Sequence, residues 1–275
     1  MPEGDTIHRL ARKLAAALVG QATTRVWQRD RGEVAELVSQ SIGAVEAVGK
    51  HLLVGLGDRY VLHTHLGMPG RVAQMEGAFV PTWETSAIIG VEGTTFVWRN
   101  AKTAALVRRD EPAFIRAMQR IGPDLLAPSC DIDDVVTRAL ARGGSERPIA
   151  DVLLDQSIAA GIGNVFKSEI MFTCGFDPLQ AVGTIDREAL ARAYELARTM
   201  LQCSVRDGHR DTVGVVTPWR GRANGTRLWV YDRAGERCRV CGGAIFRTGV
   251  GEDARVTFQC RTCQAPETGR RRVTA

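Results

Sequence analysis

The first regular pattern in the chain is that of an amphipathic helix near the N-terminus. Apolar side chains recur every three or four residues, and basic side chains occupy the opposite face. This spacing predicts a helix over residues 6–18, capped by Asp5 or Thr6, with Gly20 just beyond its end. The apolar positions are Ile7, Leu10, Ala11, Leu14 and Leu18.

A different pattern follows between residues 21 and 107. Short runs rich in valine, threonine and aromatic residues alternate with glycine-containing turns, and no helical period persists. This pattern predicts an antiparallel β-sandwich or barrel. The predicted strands are Thr23–Trp27, His51–Leu56, Tyr60–His65, Ser86–Val91 and Thr94–Arg99.

Helical spacing returns in the second half of the chain. A short helix is predicted over residues 111–120 and a linker over 125–129. Longer helices, each followed by glycine, are predicted over 132–142, 147–160, 164–174 and 187–207, with Asp186 as a cap for the last. The stretch 211–226 predicts a mobile loop, and the final fifty residues predict short strands around pairs of cysteines.

The composition is that of an ordinary globular protein, and its net positive charge makes nucleic acid a plausible partner. The 275 residues are 44% hydrophobic and 24% charged, and they suffice for two domains with a small third module. No apolar run approaches the ~20 residues of a membrane span, and no secretory signal is present, so we expect a cytosolic protein. The net charge of +5 comes from 32 arginines and four lysines. Arginine suits phosphate binding, although genomic base composition explains such an excess equally well.

The strongest chemical signal is a quartet of cysteines near the C-terminus. Two C-x₂-C pairs separated by 18 residues are typical of a zinc ribbon, while a redox dithiol or an iron–sulfur cluster is the alternative. A zinc ion with four thiolates has no open position for substrate and is therefore structural. The predicted ligands are Cys238, Cys241, Cys260 and Cys263; Cys130, Cys174 and Cys203 are predicted to be buried hydrophobes.

The N-terminus offers a candidate nucleophile. Removal of Met1 is expected before proline, and it would leave Pro2 as a secondary amine beside Glu3 at the mouth of a helix. An α-amino group titrates near pH ~7.7–8.0, against ~10.4 for lysine, so more of it is neutral and nucleophilic near pH 7. On these residues alone, the alternative interpretation is that Met1-Pro2-Glu3 simply begins a helix and has no catalytic role.

Three further groups are candidates for phosphate contacts. The turn Gly161-Ile162-Gly163 precedes Asn164, which is predicted to cap a helix with Lys167 in its first turn; such an N-terminus binds anions, but glycine turns also serve packing. Arg255 lies on the strand between the cysteine pairs, where it is either a phosphate ligand or a solvated side chain.

Lys50 is predicted to enter a strand from a turn and to lie near the rim of the sheet. His63 and His65 share one face of a strand because they are two residues apart. They could contact phosphate or a base, serve a structural role, or bind a metal.

Taken together and in order, these motifs resemble the formamidopyrimidine-DNA glycosylase and endonuclease VIII family of base-excision repair enzymes. The resemblance spans the chain from its first module to its last. The motifs that carry it are M-P-E-G-D-T, G-K-H-L-L, H-L-G-M, Q-R-I-G-P-D, L-L-D-Q-S-I-A-A-G-I-G-N-V-F-K-S-E and R-V-T-F-Q-C-R-T-C-Q.

The resemblance implies an α+β multidomain fold. It implies an N-terminal catalytic β-sandwich with an N-terminal helix over residues 1–124 and a helical helix–two-turn–helix domain over 125–220. A zinc ribbon with one structural zinc ion would follow over 221–266, with a disordered tail over 267–275.

The resemblance also implies roles for individual residues. Pro2 matches the nucleophile that forms a Schiff base with the sugar, Glu3 the general acid, and Lys50 the lysine of strand cleavage and phosphate binding. The resemblance implies that Asn164 and Arg255 clamp phosphates and that His65 and Arg120 contact DNA, while Lys167 is a further candidate because it lies in the first turn of its helix. Met68 is the candidate for filling the void left by an extruded base.

One departure favours the endonuclease VIII branch and oxidised pyrimidines as substrates. The formamidopyrimidine type carries the sequence D-P-R-R-F-G where this chain has Trp98–Ala105. We expect a bifunctional glycosylase and abasic-site lyase acting by β,δ-elimination on damaged or abasic DNA: a cytoplasmic, nucleoid-associated monomer of bacterial type. The rivals are a non-catalytic damaged-DNA-binding protein and an N-terminal-nucleophile hydrolase, against which Pro2 argues because that class exposes threonine, serine or cysteine.

Overall fold

Two separate hydrophobic cores divide the chain into two units. The computed structural model describes residues 2–216, 227–251 and 254–265. The first unit is Met1–Arg120 and the second Ile121–Ala275. Each unit encloses its own cluster of buried apolar side chains, so each is described by itself.

The first unit is a β-sandwich of two antiparallel sheets. Its five-stranded sheet has the order β2-β1-β7-β8-β6, and its four-stranded sheet has the order β3-β4-β5-β9. The strands are β1 (Arg25–Gln28), β2 (Gly32–Glu33), β3 (Ile42–Val48), β4 (His51–Leu56), β5 (Tyr60–His65), β6 (Arg71–Glu76), β7 (Thr85–Val91), β8 (Thr94–Arg99) and β9 (Thr103–Arg108). The predicted sandwich is therefore confirmed.

Helix α1 (Gly4–Leu18) begins earlier than its sequence pattern predicted. Glu3 is the N-cap residue, so the prediction that Asp5 or Thr6 caps the helix is wrong. Asp5 is fully buried in the first turn, where it accepts a 3.2 Å hydrogen bond from the Thr6 hydroxyl and lies 3.8 Å from the Arg9 guanidinium. A carboxylate in that turn also interacts favourably with the positive end of the helix dipole.

Helix α1 packs along β3 in the opposite direction. Just beyond the end of α1, the Gly20 N–H donates a 2.9 Å hydrogen bond to the carbonyl of Ile42, the first residue of β3. Fifteen helical residues and seven strand residues both span about 22 Å. The start of α1 therefore lies toward the far end of β3, where the Gly49–Lys50 turn leads into β4.

The second unit is helical, with a two-stranded hairpin near its C-terminal end. Its helices are α3 (Ile132–Gly143), α4 (Ile149–Leu154), α5 (Asn164–Cys174), α6 (Arg187–Asp207) and α7 (Thr212–Val216); α2 (Pro112–Gln119) belongs to the first unit. Strands β10 (Phe246–Val250) and β11 (Arg255–Gln259) pair antiparallel. None of the described helices is long and apolar enough to cross a membrane.

One helix is shorter than its pattern predicted, because a turn interrupts it. Helix α4 ends at Leu154 and not at residue 160. The Asp155 carboxylate accepts hydrogen bonds from the Ser157 N–H at 2.9 Å and the Ser157 hydroxyl at 2.6 Å, and it pairs with Arg147 at 2.8 Å. An aspartate that bonds the backbone two residues ahead favours a turn over continued helix.

The predicted loop over 211–226 is in part helical, since its first residues form α7. Residues 217–226 and the predicted tail lie outside the described residues.

Glu169 of α5 joins three parts of the second unit. Its carboxylate is fully buried and accepts hydrogen bonds from the N–H groups of Trp229, Val230 and Tyr231 at 2.7–2.9 Å. It also accepts from the Thr212 hydroxyl. A buried carboxylate that collects several donors offsets its desolvation through those bonds.

Glu169→Ala should destabilise the second unit by about 3–5 kcal/mol, because three N–H groups, two of them buried, would lose their acceptor. Denaturant unfolding of the full chain, followed by circular dichroism, measures this change. Glu188→Ala is the matched control, since the Glu188 side chain is 91% exposed, and it should change the free energy of unfolding by less than about 0.5 kcal/mol. Equal stability of the two variants would contradict the assignment.

Candidate active site and zinc site

Pro2 and Glu3 form the entry to α1. Pro2 is half-buried and Glu3 is fully buried in extended backbone, with φ −121° and ψ −174°. The Glu3 carbonyl accepts hydrogen bonds from the N–H groups of Thr6 and Ile7 at 3.0 and 3.1 Å. Pro2 is thereby held at the N-terminal end of the helix with a buried carboxyl group directly beside it.

Several of the predicted DNA contacts lie at one end of the first unit. His51 and His65 are partners across β4 and β5, so Lys50 and the turn after β5 lie at the same end of the sheet. The Lys102 N–H donates a 3.1 Å hydrogen bond to the Leu66 carbonyl of that turn. We call this end, formed by Lys50, His65, Met68 and Lys102, the lysine rim.

Met68 and Lys102 are both exposed at the lysine rim. The Met68 side chain is 75% exposed. Gly67 has a φ of +70°, which favours glycine, and an added Cβ there would lie only 3.0 Å from the Lys102 Cβ. The turn that carries Met68 therefore packs directly on the stem of Lys102.

Three imidazoles line the face of the sheet beside the lysine rim. His51 Nδ1 and His63 Nε2 are 2.8 Å apart, and the His65 ring lies 5.2 Å from that of His51. Burial, His63, His65 and Lys50 lower the pKa of His51 to about 4. Burial lowers the pKa of His63, and burial followed by Lys102 and Lys50 lowers that of His65. The imidazoles are therefore neutral near pH 7, and the positive charge of the rim belongs to its lysines.

The histidines do not form a metal site in this geometry. Among the described residues, only the cysteine quartet brings three or more ligand atoms of cysteine, histidine or carboxylate within reach of one ion. The buried Nδ1 of His65 has no hydrogen-bond partner within the described part of the chain. Arg120 is exposed directly after α2.

In the second unit, the segment between α4 and α5 forms the predicted tight turn. An added Cβ on Gly122 would lie 2.6 Å from the Ile158 carbonyl oxygen, so glycine is required for this close approach. The Ala160 N–H donates to the Pro123 carbonyl at 2.9 Å, which joins the turn to the chain that precedes it. Gly163 is the N-cap residue of α5, and the prediction that Asn164 caps this helix is wrong.

Asn164 binds the hairpin instead. Its Nδ2 donates a 2.6 Å hydrogen bond to the carbonyl of Val256, the residue after Arg255. The Oδ1 of Asn164 is buried without a partner among the described residues. The structure thus brings Asn164 next to the start of β11, where Arg255 is exposed.

Lys167 is fully buried, which does not fit the predicted direct phosphate contact. Its ammonium group donates to the Thr257 hydroxyl at 2.8 Å and to the Val256 carbonyl at 3.2 Å. Lys167 therefore fixes β11 on α5. The sequence pattern placed Lys167 correctly in the first turn of α5, but it could not reveal that the hairpin covers this turn.

The four cysteine sulfurs have the spacing of a tetrathiolate zinc site. All four lie within 4.8 Å of one another. Cys238 Sγ is 3.8 Å from Cys263 Sγ, and Cys241 Sγ is 3.4 Å from Cys260 Sγ. Tetrahedral zinc with ~2.3 Å bonds requires sulfurs about 3.8 Å apart, so the quartet fits this metal.

The chemistry of the sulfurs also fits a cation. Burial raises the pKa of Cys241, but the Gly243 N–H and the neighbouring thiols outweigh it and lower the pKa to about 7. Burial first, and then Cys241, raise the pKa of Cys260 and Cys263. Such a close group ionises fully only when a metal cation balances the thiolates.

The sequence comparisons connect this geometry with known proteins. Two family profiles match: "Formamidopyrimidine-DNA glycosylase N-terminal domain" over residues 1–110, and "Formamidopyrimidine-DNA glycosylase H2TH domain" over residues 121–214. "Probable endonuclease 8 2" of Streptomyces coelicolor is 33% identical, covering 96% of this chain and 94% of its own. "DNA-(apurinic or apyrimidinic site) lyase Nei2" of Mycolicibacterium smegmatis is 35% identical, covering 96% and 99%.

The chain belongs to the formamidopyrimidine-DNA glycosylase and endonuclease VIII family, in its endonuclease VIII-like branch. Solved structures agree on the fold of this family. Lactococcus lactis Fpg, crystallised with abasic-site DNA, matches with a TM-score of 0.79 at 21% identity, covering 96% of this chain and 99% of its own.

Sequence reasoning missed three features of the two sites. The His51 imidazole joins His63, Lys102 packs under the Met68 turn, and Glu169 anchors the segment before the cysteines. The pairing of β4 with β5 brings His51 next to His63. The chain crosses between the two sheets after β5 and after β8, and these crossings bring Lys102 next to the Met68 turn. Only the spacing of His51, at the start of a predicted strand, could have suggested its role.

Cys260→Ser should lower zinc affinity by at least about tenfold, because even a change outside the ligand shell costs 10–100-fold. Zinc content after dialysis against a chelator measures the loss. DNA binding should weaken with it, because β11 would lose its support next to Cys260, while the first unit keeps its fold. Cys203→Ser is the matched control, since Cys203 is a half-buried cysteine of α6 that does not belong to the quartet. Full zinc retention by Cys260→Ser would refute the site.

Proposed function

We propose that this protein is a bifunctional DNA glycosylase and abasic-site lyase of base-excision repair. The observation that carries the proposal is the Pro2–Glu3 pair, held at the buried start of α1 in a chain of this family. The relatives named endonuclease 8 and DNA-(apurinic or apyrimidinic site) lyase support the same activity. The substrate is DNA that carries a damaged base or an abasic site.

The first step is attack of the Pro2 nitrogen on C1′ of the damaged nucleoside. The mechanism requires removal of Met1, which frees a secondary amine that titrates near pH ~7.7–8.0 and is partly neutral at pH 7. The N–C1′ bond forms while the glycosidic bond breaks, and the base leaves with its bonding electrons and takes up the proton that the Pro2 nitrogen loses. Glu3 then donates a proton to the ring oxygen, which opens the sugar and leaves a cationic iminium.

The iminium drives strand cleavage because it withdraws electrons from the neighbouring carbon. Loss of the C2′ proton expels the 3′ phosphate by β-elimination, and a second elimination expels the 5′ phosphate. Hydrolysis of the remaining adduct restores the amine. Lys50 at the lysine rim supplies a cation for a phosphate during these steps, and the direction of α1 along β3 supports its nearness to Pro2.

Contacts in both units hold the DNA. Asn164 and Arg255 grip phosphates, an arrangement that the Asn164–Val256 hydrogen bond supports. His65 and Arg120 contribute further contacts. The damaged base must leave the stack to be reached, and the exposed side chain of Met68 fills the resulting void. The zinc ribbon is structural and keeps β11 in position.

Oxidised pyrimidines are the proposed substrates. The sequence Trp98–Ala105 lacks the arginine–phenylalanine wedge of the formamidopyrimidine type, and relatives named endonuclease 8 support this branch. A relative named formamidopyrimidine-DNA glycosylase, from Moorella thermoacetica, is also 31% identical.

Duplexes with one oxidised pyrimidine, one oxidised purine or one abasic site should be cleaved in the order abasic site, pyrimidine, purine. Initial rates under single-turnover conditions give this order directly. An undamaged duplex of the same sequence is the control and should stay intact. Faster release of the oxidised purine would overturn the substrate assignment and leave the lyase assignment standing.

Pro2→Gly should retain DNA binding and lose at least about 100-fold in turnover, the scale on which a positioned catalytic group acts. Borohydride trapping on an abasic duplex reports the Schiff base: the native protein should form a covalent adduct, and the variant should form little. Intact mass establishes in both proteins that Met1 is removed. A native protein that binds the duplex without a trapped adduct would be the non-catalytic binder.

A further inference from the structure

We infer that Trp83 is a DNA-contact residue whose indole stacks on a nucleotide beside the lesion. This inference rests on the proposed function and adds an aromatic contact to the lysine rim. Trp83 is 83% exposed, which is unusual for so large an apolar side chain. Trp98 and Trp229, in contrast, are buried.

Trp83 is presented by a rigid turn. The Thr85 N–H donates to the Thr82 carbonyl at 2.9 Å, and the Thr82 N–H donates to the Thr85 hydroxyl at 2.9 Å. These two bonds close a four-residue turn with Trp83 at its second position. The Arg29 guanidinium donates to the carbonyls of Trp83 and Thr85 at 3.2 and 3.0 Å, which holds the turn from the β1 side.

Glu84 fastens the other side of the turn. Its carbonyl accepts a 2.8 Å hydrogen bond from the Asn100 N–H. Its carboxylate lies 3.4 Å from the Arg71 guanidinium and 4.0 Å from that of Arg99. Because the backbone is anchored on both sides, the exposure of the Trp83 ring is a property of the fold.

The Trp83 turn lies at the same end of the first unit as the lysine rim. Arg99, the last residue of β8, pairs with both Thr85 and Arg71, so β6 and β7 begin at that end. The chain then passes through Asn100, which bonds Glu84, to Lys102, which bonds Leu66 beneath the Met68 turn. Hydrogen bonds thus connect the Trp83 turn to the turn that carries the proposed void-filling residue.

The surroundings of Trp83 favour DNA over other occupants. A single exposed apolar residue is common on proteins and needs no explanation by itself. Here the indole lies at the same end of the unit as Lys50 and Lys102, and its turn is connected with Lys102 through Asn100. A nucleic-acid strand binds where cations follow its backbone and an exposed aromatic ring can stack on a base. Every base offers a π-face, and opening of the stack at a lesion makes the neighbouring nucleotides available for stacking.

The test is the affinity for a duplex that contains tetrahydrofuran, a stable abasic-site analogue, measured by fluorescence anisotropy at several salt concentrations. Trp83→Ala should weaken binding about 5- to 150-fold, the range expected for one lost base-stacking contact. Trp83→Phe keeps an aromatic face and should recover most of the affinity. Val80→Ala is the matched control in the same loop, because Val80 is 81% exposed, and it should bind like the native protein.

The salt dependence separates stacking from an indirect effect on charge. A stacking contact leaves the slope of log K against log salt unchanged, whereas the loss of one phosphate contact lowers it by about 0.9. A reduced slope in Trp83→Ala would overturn the inference, because the ring would then act through the neighbouring arginines. Native-like affinity of Trp83→Ala would also overturn the inference, and contact with a protein partner would then be the explanation for the exposed ring.

These outcomes are distinguishable from failure of the proposed function. If the native protein neither binds the tetrahydrofuran duplex nor forms a trapped adduct with an abasic duplex, the proposed function and the inference both fall. If the native protein does both and Trp83→Ala matches it, only the inference falls.

Discussion

Helix α5 is buried on nearly all sides, and the second unit depends on how its polar side chains find partners. Lys167, Ser168 and Glu169 are each fully buried within this helix. Residues two apart on a helix point about 200° away from each other, so Lys167 and Glu169 face opposite sides. Lys167 binds β11, and Glu169 binds the segment 229–231 and Thr212.

This arrangement couples the proposed DNA contacts to the fold. Each polar group would be costly to bury without its partner, so the register of α5 against the hairpin is strongly specified. The same contacts bring Asn164 next to the strand that begins with Arg255. Cys260 directly follows β11 and belongs to the cysteine quartet, so a metal ion bound there would link metal binding to the position of the hairpin.

In the first unit, the lysine rim combines positive charge with neutral hydrogen-bonding groups. Three imidazoles lie close together near two lysines, and burial, the largest cause for each, lowers their pKa values and keeps them uncharged near pH 7. A phosphate or sugar at the lysine rim would contact lysine cations and neutral imidazole rings, each of which can donate one hydrogen bond and accept another. The crossings between the two sheets bring Met68, Lys102 and Trp83 to this end.

The sequence alone determined the elements whose signals are local. The ends of α5 and α6 follow from glycines at 175 and 208 in the left-handed conformation. The two C-x₂-C pairs predict the four sulfurs that the structure brings within reach of one metal ion. Strands β4, β5 and β8 match their predicted ranges because their apolar runs end at turn residues. The motif order also sufficed to identify the family.

Tertiary structure decided whatever depends on partners distant in sequence. Lys167 looks like a phosphate ligand in the sequence and is buried in the structure, because a hairpin some ninety residues later covers it. Asn164 resembles a helix cap, yet its amide binds that same hairpin. His51 meets His63, and Trp83 joins the lysine rim, only through strand register and sheet crossings. Local patterns determine elements, whereas burial and long-range hydrogen bonds assign each side chain its surroundings.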